Sequence, residues 1–302
     1  MKSQSPIFSI ILPTHNREHS LQIAIQSVVD QNVTNWELLV VDDGSTDQTK
    51  ETVKKFQDNR IKYCRQEHNE RSLARNLGIL RSTGQYVCFL DDDDYYKSNY
   101  LHLFHEYLTL HNYPAHILRT GFLVKENENL TPSSLYSENM GKHPVLYFSV
   151  EMCGIWSLCI PKQFLTEHNF PPQFPHWQDT HLALRLFALH PIKQLKAWTY
   201  VYCQHSQMGS IISFRGADID TRVGLQVDAI NDLFDHYHML IGPYLKETDR
   251  KRLIAEKLYR GASLLKADGR HKAAWRMLLS APLSPTLLPS FLKFILNFKK
   301  KN

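Results

Sequence analysis

The chain has 302 residues, 43% apolar and 22% charged, with 12 glycines and 14 prolines. These figures exclude a disordered, collagen-like or low-complexity chain and leave room for one large α/β unit or two smaller ones. The net charge of +5 is uneven: residues 245–302 hold 14 Lys/Arg against 4 Asp/Glu, which leaves 21 against 26 in the remainder, so the body is acidic and the end basic.

Phe8–Leu12 is a short apolar run closed by Pro13 and predicts a buried strand. The run Ile7–Leu12 is too short for the apolar region of a signal peptide, and nothing approaches the roughly 20 apolar residues that span a bilayer. Five cysteines (Cys64, Cys88, Cys153, Cys159, Cys203) form no CxxC pair. A disulfide framework or zinc knuckle is not expected, and a cytoplasmic setting is.

Residues 18–31 carry Leu21, Ile23, Ala24, Ile25, Val28 and Val29, apolar spacing that predicts a helix. Residues 36–41 read as a second buried strand that runs into the turn composition Asp42-Asp43-Gly44-Ser45. A helix over 47–56, a strand over 61–64, a helix over 73–82 and a strand over 86–90 follow, the last running straight into Asp91-Asp92-Asp93-Asp94. This alternation predicts an α/β fold with a mostly parallel, doubly wound central sheet. Ligands of such sheets sit beyond the carboxyl ends of the strands. The polar clusters Thr14–Arg17, Asp42–Asp47 and Asp91–Asp94 fall at three such ends. Further on, the spacing predicts a helix over 98–112, a loop-like stretch over 125–143, a helix over 177–189 and a strand over 198–203. Helices are expected from about residue 221 to an end punctuated by Pro282, Pro285 and Pro289.

Adjacent carboxylates repel one another unless a cation neutralises them. Their hard oxygens suit Mg²⁺ or Mn²⁺, which bridge protein carboxylates and substrate phosphates. A solvated acidic loop is the plain alternative, and the position of the run beside two other polar strand ends favours the metal–phosphate role. Neither GxxxxGK[ST] nor GxGxxG occurs, so metal and side chains would hold the phosphates, with Arg17, Arg71 and Arg75 as the available cations. A turn with a helix cap at Ser45 or Asp47 accounts for part of Asp42–Asp47. A carboxylate there also offers an acceptor to a nucleobase imide N–H or to ribose hydroxyls.

The blocks Pro13-Thr14-His15-Asn16-Arg17, Val41-Asp42-Asp43-Gly44-Ser45-Thr46-Asp47, Ala74-Arg75-Asn76-Leu77-Gly78 and Phe89-Leu90-Asp91-Asp92-Asp93-Asp94 resemble, in that order, those of glycosyltransferase family 2, the inverting GT-A enzymes. The likeness is clear over about residues 7–96 and weaker to about residue 215. It implies a GT-A-type nucleotide-binding fold, a nucleotide-sugar donor, UDP-linked, and a divalent cation, Mn²⁺ or Mg²⁺. Carried over by motif, Pro13, Thr14, His15, Arg17, Asp43, Arg75, Asp91 and Asp92 fall at donor-binding positions. His15 takes the place of an aromatic that packs on the base. Asp43 matches the acid that accepts from uracil or its ribose. Asp91-x-Asp93 matches the DxD element, with Asp93 on the metal and Asp92 near the ribose or diphosphate; Asp94 leaves that register open. Glu70-Arg71-Ser72 stands where the family often has a glycine-containing loop, which leaves the diphosphate contacts of Arg71 and Arg75 open.

His176–Arg185 resembles the family's Glu-Asp helix start, with Gln178 in place of Glu and Asp179 keeping the acid. In an inverting displacement the acceptor hydroxyl attacks C1 opposite the leaving nucleotide, and a carboxylate takes its proton. Asp179 is the expected base; a cap on a helix beginning near Thr180 is its competing role. Tyr202–Ser206 resembles a segment ending in a His near the metal, which makes His205 a second candidate ligand. Trp156 and Trp177 are candidates for the acceptor pocket or for the core.

The expected organisation is a glycosyltransferase domain over 1–220, with a donor half at 1–96 and an acceptor half at 97–220, then a helical extension over 221–302. Residues 286–302 combine Leu287, Leu288, Phe291, Leu292, Phe294, Ile295 and Phe298 with Lys299–Lys301. Such a segment either lies against an anionic membrane or docks on the domain. Membrane contact would suit a peripheral enzyme on the cytoplasmic face with a saccharide or lipid-linked saccharide acceptor. Nucleic acid is not an expected partner, because the body is acidic. A catalytically degenerate nucleotide-sugar-binding protein is the alternative. A sugar-phosphate nucleotidyltransferase lacks support, since no GxGTR stretch occurs near the N-terminus.

Overall fold

The computed structural model describes residues 5–137, 142–151, 154–204 and 219–282. Four strands, β1 (Phe8–Thr14), β2 (Trp36–Asp43), β3 (Ile61–Gln66) and β4 (Tyr86–Phe89), pair in parallel in the order β3-β2-β1-β4. All residues of β1, β2 and β4 are buried, as parallel strands covered on both faces require. The crossovers carry α1 (Glu18–Val29), α2 (Thr49–Lys54) and α3 (Arg71–Arg81).

Four strands outrun their sequence bounds, and the extensions of β1 and β2 matter for the site. β1 continues through Pro13 because β4 pairs with it only over Phe8–Ile11. Pro13 has a strand neighbour on one side, β2, where a missing N–H is tolerated. β2 continues through Asp42 and Asp43, so the two acids end a strand instead of opening a turn.

The second half makes the sheet mixed. It comprises β5 (Tyr95–Tyr96), α4 (Tyr100–Leu110), β6 (Ile117–Glu126), β7 (Asn129–Pro132), α5 (Pro144–Phe148), β8 (Leu158–Pro161), α6 (Lys162–Glu167), α7 (Gln178–Leu189) and β9 (Ile192–Gln204). The full order is β3-β2-β1-β4-β8-β6-β9-β5, with β7 on β6. β8 runs antiparallel to both β4 and β6, whereas β6 and β9 are parallel. The stretch expected as a loop over 125–143 opens with a hairpin, in which Asn129–Pro132 folds back on Leu123–Glu126. All four β7 residues are exposed, so no apolar alternation marks the strand.

Four helices follow: α8 (Ile219–His236), α9 (His238–Ile241), α10 (Glu247–Ala267) and α11 (His271–Ser280). Ile230, Leu233, Phe234, Ile241, Leu245 and Leu253 join the main core. Ile219, Val223, Ala262, Leu265, Ala274, Met277 and Leu278 form a smaller cluster among the helices themselves. Among the described residues no helix is long and apolar enough to cross a membrane. His205, Cys153 and the tail 286–302 lie outside the described residues.

Candidate active site

Because β1, β2 and β4 run in parallel, their carboxyl ends share one edge of the sheet, and the polar groups that follow them converge there. A cleft of about 820 Å³ opens at that edge. The strand ends and α3 contribute Pro13, Thr14, His15, Arg17, Asp43, Arg71, Arg75, Asp91 and Asp92 to its lining. The start of α7 contributes Trp177, Gln178 and Asp179, and α8 contributes Arg222 and Gln226. Asp93 is not a lining residue; its Oδ2 stands 3.9 Å from Nη2 of Arg17.

The end of β2 separates its two acids. Asp42 turns inward, accepting from the Ser45 N–H at 2.8 Å and from the Tyr63 hydroxyl. Asp43 faces the cleft: its Oδ1 accepts from Gln66 Nε2 at 2.7 Å and the Asn69 N–H at 3.1 Å, and its Oδ2 lies 3.0 Å from His68 Nδ1. Gly44 makes this approach possible. Its φ is +77°, and a Cβ there would meet the His68 nitrogen at 2.7 Å. Asp47 precedes Gln48, the cap of α2, and accepts from the Thr49 N–H at 3.0 Å and the Glu18 N–H at 3.2 Å, so neither Ser45 nor Asp47 is the cap expected from the sequence. His15 stacks on His68 with ring centroids 4.1 Å apart. His68 was not legible in the sequence, since it sits in no motif and follows an unremarkable strand.

The four aspartates after β4 divide by partner. Asp91 accepts from Arg75 Nη2 at 2.7 Å. Desolvation works to raise its carboxyl, but Arg75 and Arg71 outweigh it and hold it below the ordinary range. Asp94 is buried and points away, accepting from the Tyr200 hydroxyl at 2.6 Å and the Cys203 N–H at 2.7 Å. Asp92 and Asp93 remain as neighbouring carboxylates. Desolvation and then the charge of Asp93 push Asp92 up to about 7, against the smaller lowering effects of Thr14, Arg71 and Arg17. Two crowded hard-oxygen donors at a cleft edge fit Mg²⁺ or Mn²⁺, which take one or two carboxylates and complete their shell with phosphate oxygens and water. Among the described residues there is no cage of three or more His, Cys, Asp or Glu.

The Ala-Arg-Asn block of α3 has a structural reason. The Arg75 guanidinium lies over the Phe170 ring at 5.3 Å. The Asn76 side chain clasps the Phe170 backbone, donating to its carbonyl at 2.9 Å and accepting from its N–H at 3.0 Å. Consecutive residues thus fix Asp91 and anchor the chain leading to α7. Trp177 then adopts a left-handed φ of 71° and turns the chain into α7.

Asp179 lies in the first turn of α7, which begins at Gln178, so it is not the cap residue. Its Oδ1 accepts from the Thr180 N–H at 2.8 Å. Desolvation raises its carboxyl and Asp91 adds to the rise, while Arg75, the Thr180 N–H and Arg71 oppose it; the net direction is upward. The buried His181 fastens α7 to α8, its Nε2 3.0 Å from Asp232 Oδ2. Trp156 belongs to the core, stacked on Tyr200 with centroids 4.3 Å apart. Only Trp177 of the two candidate tryptophans lines the cleft.

Residues 9–149 match the model of Glycosyl transferase family 2. The chain is 31% identical over 184 residues to the UDP-Glc:alpha-D-GlcNAc-diphosphoundecaprenol beta-1,3-glucosyltransferase WfgD of Escherichia coli, a match covering 60% of this chain and 69% of that protein. The chain belongs to glycosyltransferase family 2. It is a glycosyltransferase. The putative teichuronic acid biosynthesis glycosyltransferase TuaG of Bacillus subtilis is 36% identical over 104 residues, 33% of this chain and 41% of that protein. The fold is that of S. aureus TarS 1-349 in complex with UDP-GlcNAc, with a TM-score of 0.64 at 20% identity over 87% of this chain and 74% of that one. The mannosyltransferase PcManGT of Pyrobaculum calidifontis, solved with GDP-Man and Mn²⁺, gives a TM-score of 0.54 at 17% identity over 97% of this chain and 81% of that one. These neighbours bear out the GT-A fold expected from the strand-end motifs.

Proposed function

We propose that the cleft holds a UDP-linked sugar and that the enzyme transfers it, with inversion, to a hydroxyl of a saccharide or lipid-linked saccharide. One observation carries this reading: Asp179 lines a single cleft together with Asp43, Asp91 and Asp92. Asp43 Oδ1 accepts from Gln66 and Asn69, and Oδ2, beside His68 Nδ1, offers lone pairs to a uracil imide N–H or a ribose hydroxyl. The His15–His68 pair offers a planar surface for the base, and Pro13, Thr14 and Arg17 border it. Asp92 and Asp93 would hold Mn²⁺ or Mg²⁺, with His205 as a further candidate ligand. The bound cation supplies charge neutralisation for the departing diphosphate. Asp179, its carboxyl raised by its surroundings, takes the proton from the attacking hydroxyl.

The name of WfgD specifies an acceptor on a diphosphate lipid carrier. An acceptor of that kind supports peripheral contact with the cytoplasmic membrane face through residues 286–302. In the same reading residues 1–96 serve the donor, 97–220 the acceptor, and 221–302 form the extension. Calorimetry with UDP, UDP-sugars and GDP-mannose, with Mn²⁺ and after chelation, tests the donor. UDP-linked ligands should bind in Mn²⁺ and weaken by about tenfold or more, ~1.4 kcal/mol, on chelation. Absence of UDP binding in Mn²⁺ overturns the reading.

A further inference from the structure

Trp177 stands two residues before Asp179, lines the cleft and packs against the main core. Its backbone takes a φ of 71°, and the His181 N–H closes the first helical bond of α7 on its carbonyl at 2.9 Å. Such a φ is an outlier for a bulky side chain, and outliers of this kind gather at ligand sites. The strand-end turns beside the cleft use Asn16 and Gly44 for the same conformation, residues that adopt it readily. The indole itself is a second observation. Trp36 carries the Arg60 guanidinium over its ring at 3.7 Å, Trp156 stacks on Tyr200, and Trp198 donates its N–H to the Ser133 carbonyl at 2.8 Å. Among the described residues Trp177 has neither a ring nor a cation on its face, and its N–H has no acceptor.

An indole offers a flat apolar surface and one N–H. A pyranose offers the counterpart, an apolar face of C–H groups with hydroxyls at its rim. We propose that Trp177 is a specificity-determining residue, the platform on which the acceptor's sugar ring stacks while Asp179 deprotonates a hydroxyl of that ring. The proposal rests on the reading of Asp179 as the base and deepens it: the acceptor is selected by the apolar face of one pyranose, independently of any lipid or phosphate attached to it. The acceptor's ring, not the donor's, is placed there because Trp177 shares the start of α7 with the base, whereas the donor positions Asp43, Asp91 and Asp92 follow β2 and β4. The left-handed turn thus brings a large aromatic surface to the cleft in the same step that begins the base's helix.

The test uses the full chain saturated with UDP and Mn²⁺. Octyl α- and β-pyranosides of glucose, galactose and N-acetylglucosamine are titrated in by calorimetry, with octyl tetraethylene glycol, which has the chain and no ring, as the control. At least one pyranoside should bind, and the control should not. Trp177→Gly removes the indole and suits a φ of 71°, so the helix start is kept. It should bind that pyranoside about tenfold or more weakly. Trp177→Phe keeps an aromatic platform and should stay within about threefold of the parent. UDP affinity should change less than about twofold in both variants. Pyranoside binding should also change the tryptophan fluorescence of the parent, and Trp177→Phe should lose that change while still binding. The proposal is overturned if no pyranoside binds the parent or the control binds as well, if Trp177→Gly binds the pyranoside normally, or if the fluorescence change is absent from the parent or persists in Trp177→Phe. It is also overturned if Trp177→Gly instead loses the affinity of UDP-sugars relative to UDP, which would put the donor's ring on the indole. Should Trp177→Gly fail to fold, the fluorescence of Trp177→Phe decides alone. Absence of UDP binding to the parent chain overturns the donor reading instead, and the titrations are then made without UDP; normal turnover in Asp179→Asn overturns the base reading, whatever the pyranosides do.

Discussion

The Arg75 guanidinium donates to the Asp91 carboxylate at 2.7 Å, with the arginine almost fully buried and the carboxylate partly open to the cleft. This pair ties α3 to the aspartate run after β4, and both partners act electrostatically on Asp179. Removing one partner of a buried ion pair costs about 3–5 kcal/mol. Because Asp91 is only partly buried, Arg75→Met should fall at the low end, about 3 kcal/mol, in urea denaturation. The double variant with Asp91→Asn should recover part of the loss. A single-variant loss under about 1 kcal/mol would mean that the pair is solvated.

Asp94 and Asp93 should separate stability from binding. Asp94→Ala leaves the Tyr200 hydroxyl and the Cys203 N–H without their acceptor, at about 1–3 kcal/mol for each buried donor. Asp93→Asn should change stability by less than about 1 kcal/mol and abolish the Mn²⁺ dependence of UDP affinity. If Asp94→Ala melts normally and loses metal-dependent binding instead, the aspartate register is shifted by one.

The pH profile of stability should show Glu37. This buried carboxylate accepts from Ser9 at 2.6 Å, from Lys62 at 2.6 Å and from Thr83, tying β2 to β1 and to the loop before β4. Burial works to raise its pKa, but the hydrogen bonds from Lys62, Ser9 and Thr83 together hold it below 4.5. The stabilisation is therefore fully present above 4.5 and is lost as pH falls through the lower folded-state value. Glu37→Gln should flatten that part of the acid denaturation curve. An unchanged slope would show that Glu37 titrates alike in the folded and unfolded chain.

Much of the cleft lining was legible because parallel strands align their carboxyl ends, so three polar clusters far apart in sequence had to meet. The division of labour within each cluster was not legible from the residues themselves; the resemblance alone singled out Asp43. Asp42 and Asp43 are identical in sequence terms, and only the pleat of β2 sends one to Tyr63 and the other to the cleft. Asp94 is withdrawn by Tyr200 and Cys203, more than a hundred residues away. The α7 bounds were found to within one residue: the helix opens at Gln178 where 177 was expected, because Trp177 takes a left-handed φ that no propensity predicts. Arg222 and Gln226 carried no motif. Their helix announces only an amphipathic pattern, and which face meets the cleft depends on how the core residues Ile230 and Leu233 dock. β7 stayed hidden because all of its residues are exposed.

The central claim is that Asp179 takes the proton of the attacking hydroxyl in the cleft that binds the donor. Asp179→Asn keeps the size and the first-turn position of the side chain and removes the base. With the donor selected by calorimetry, its turnover should fall by about 10²–10⁴ while UDP affinity in Mn²⁺ stays within about twofold of the parent. Near-normal turnover in Asp179→Asn would contradict the account.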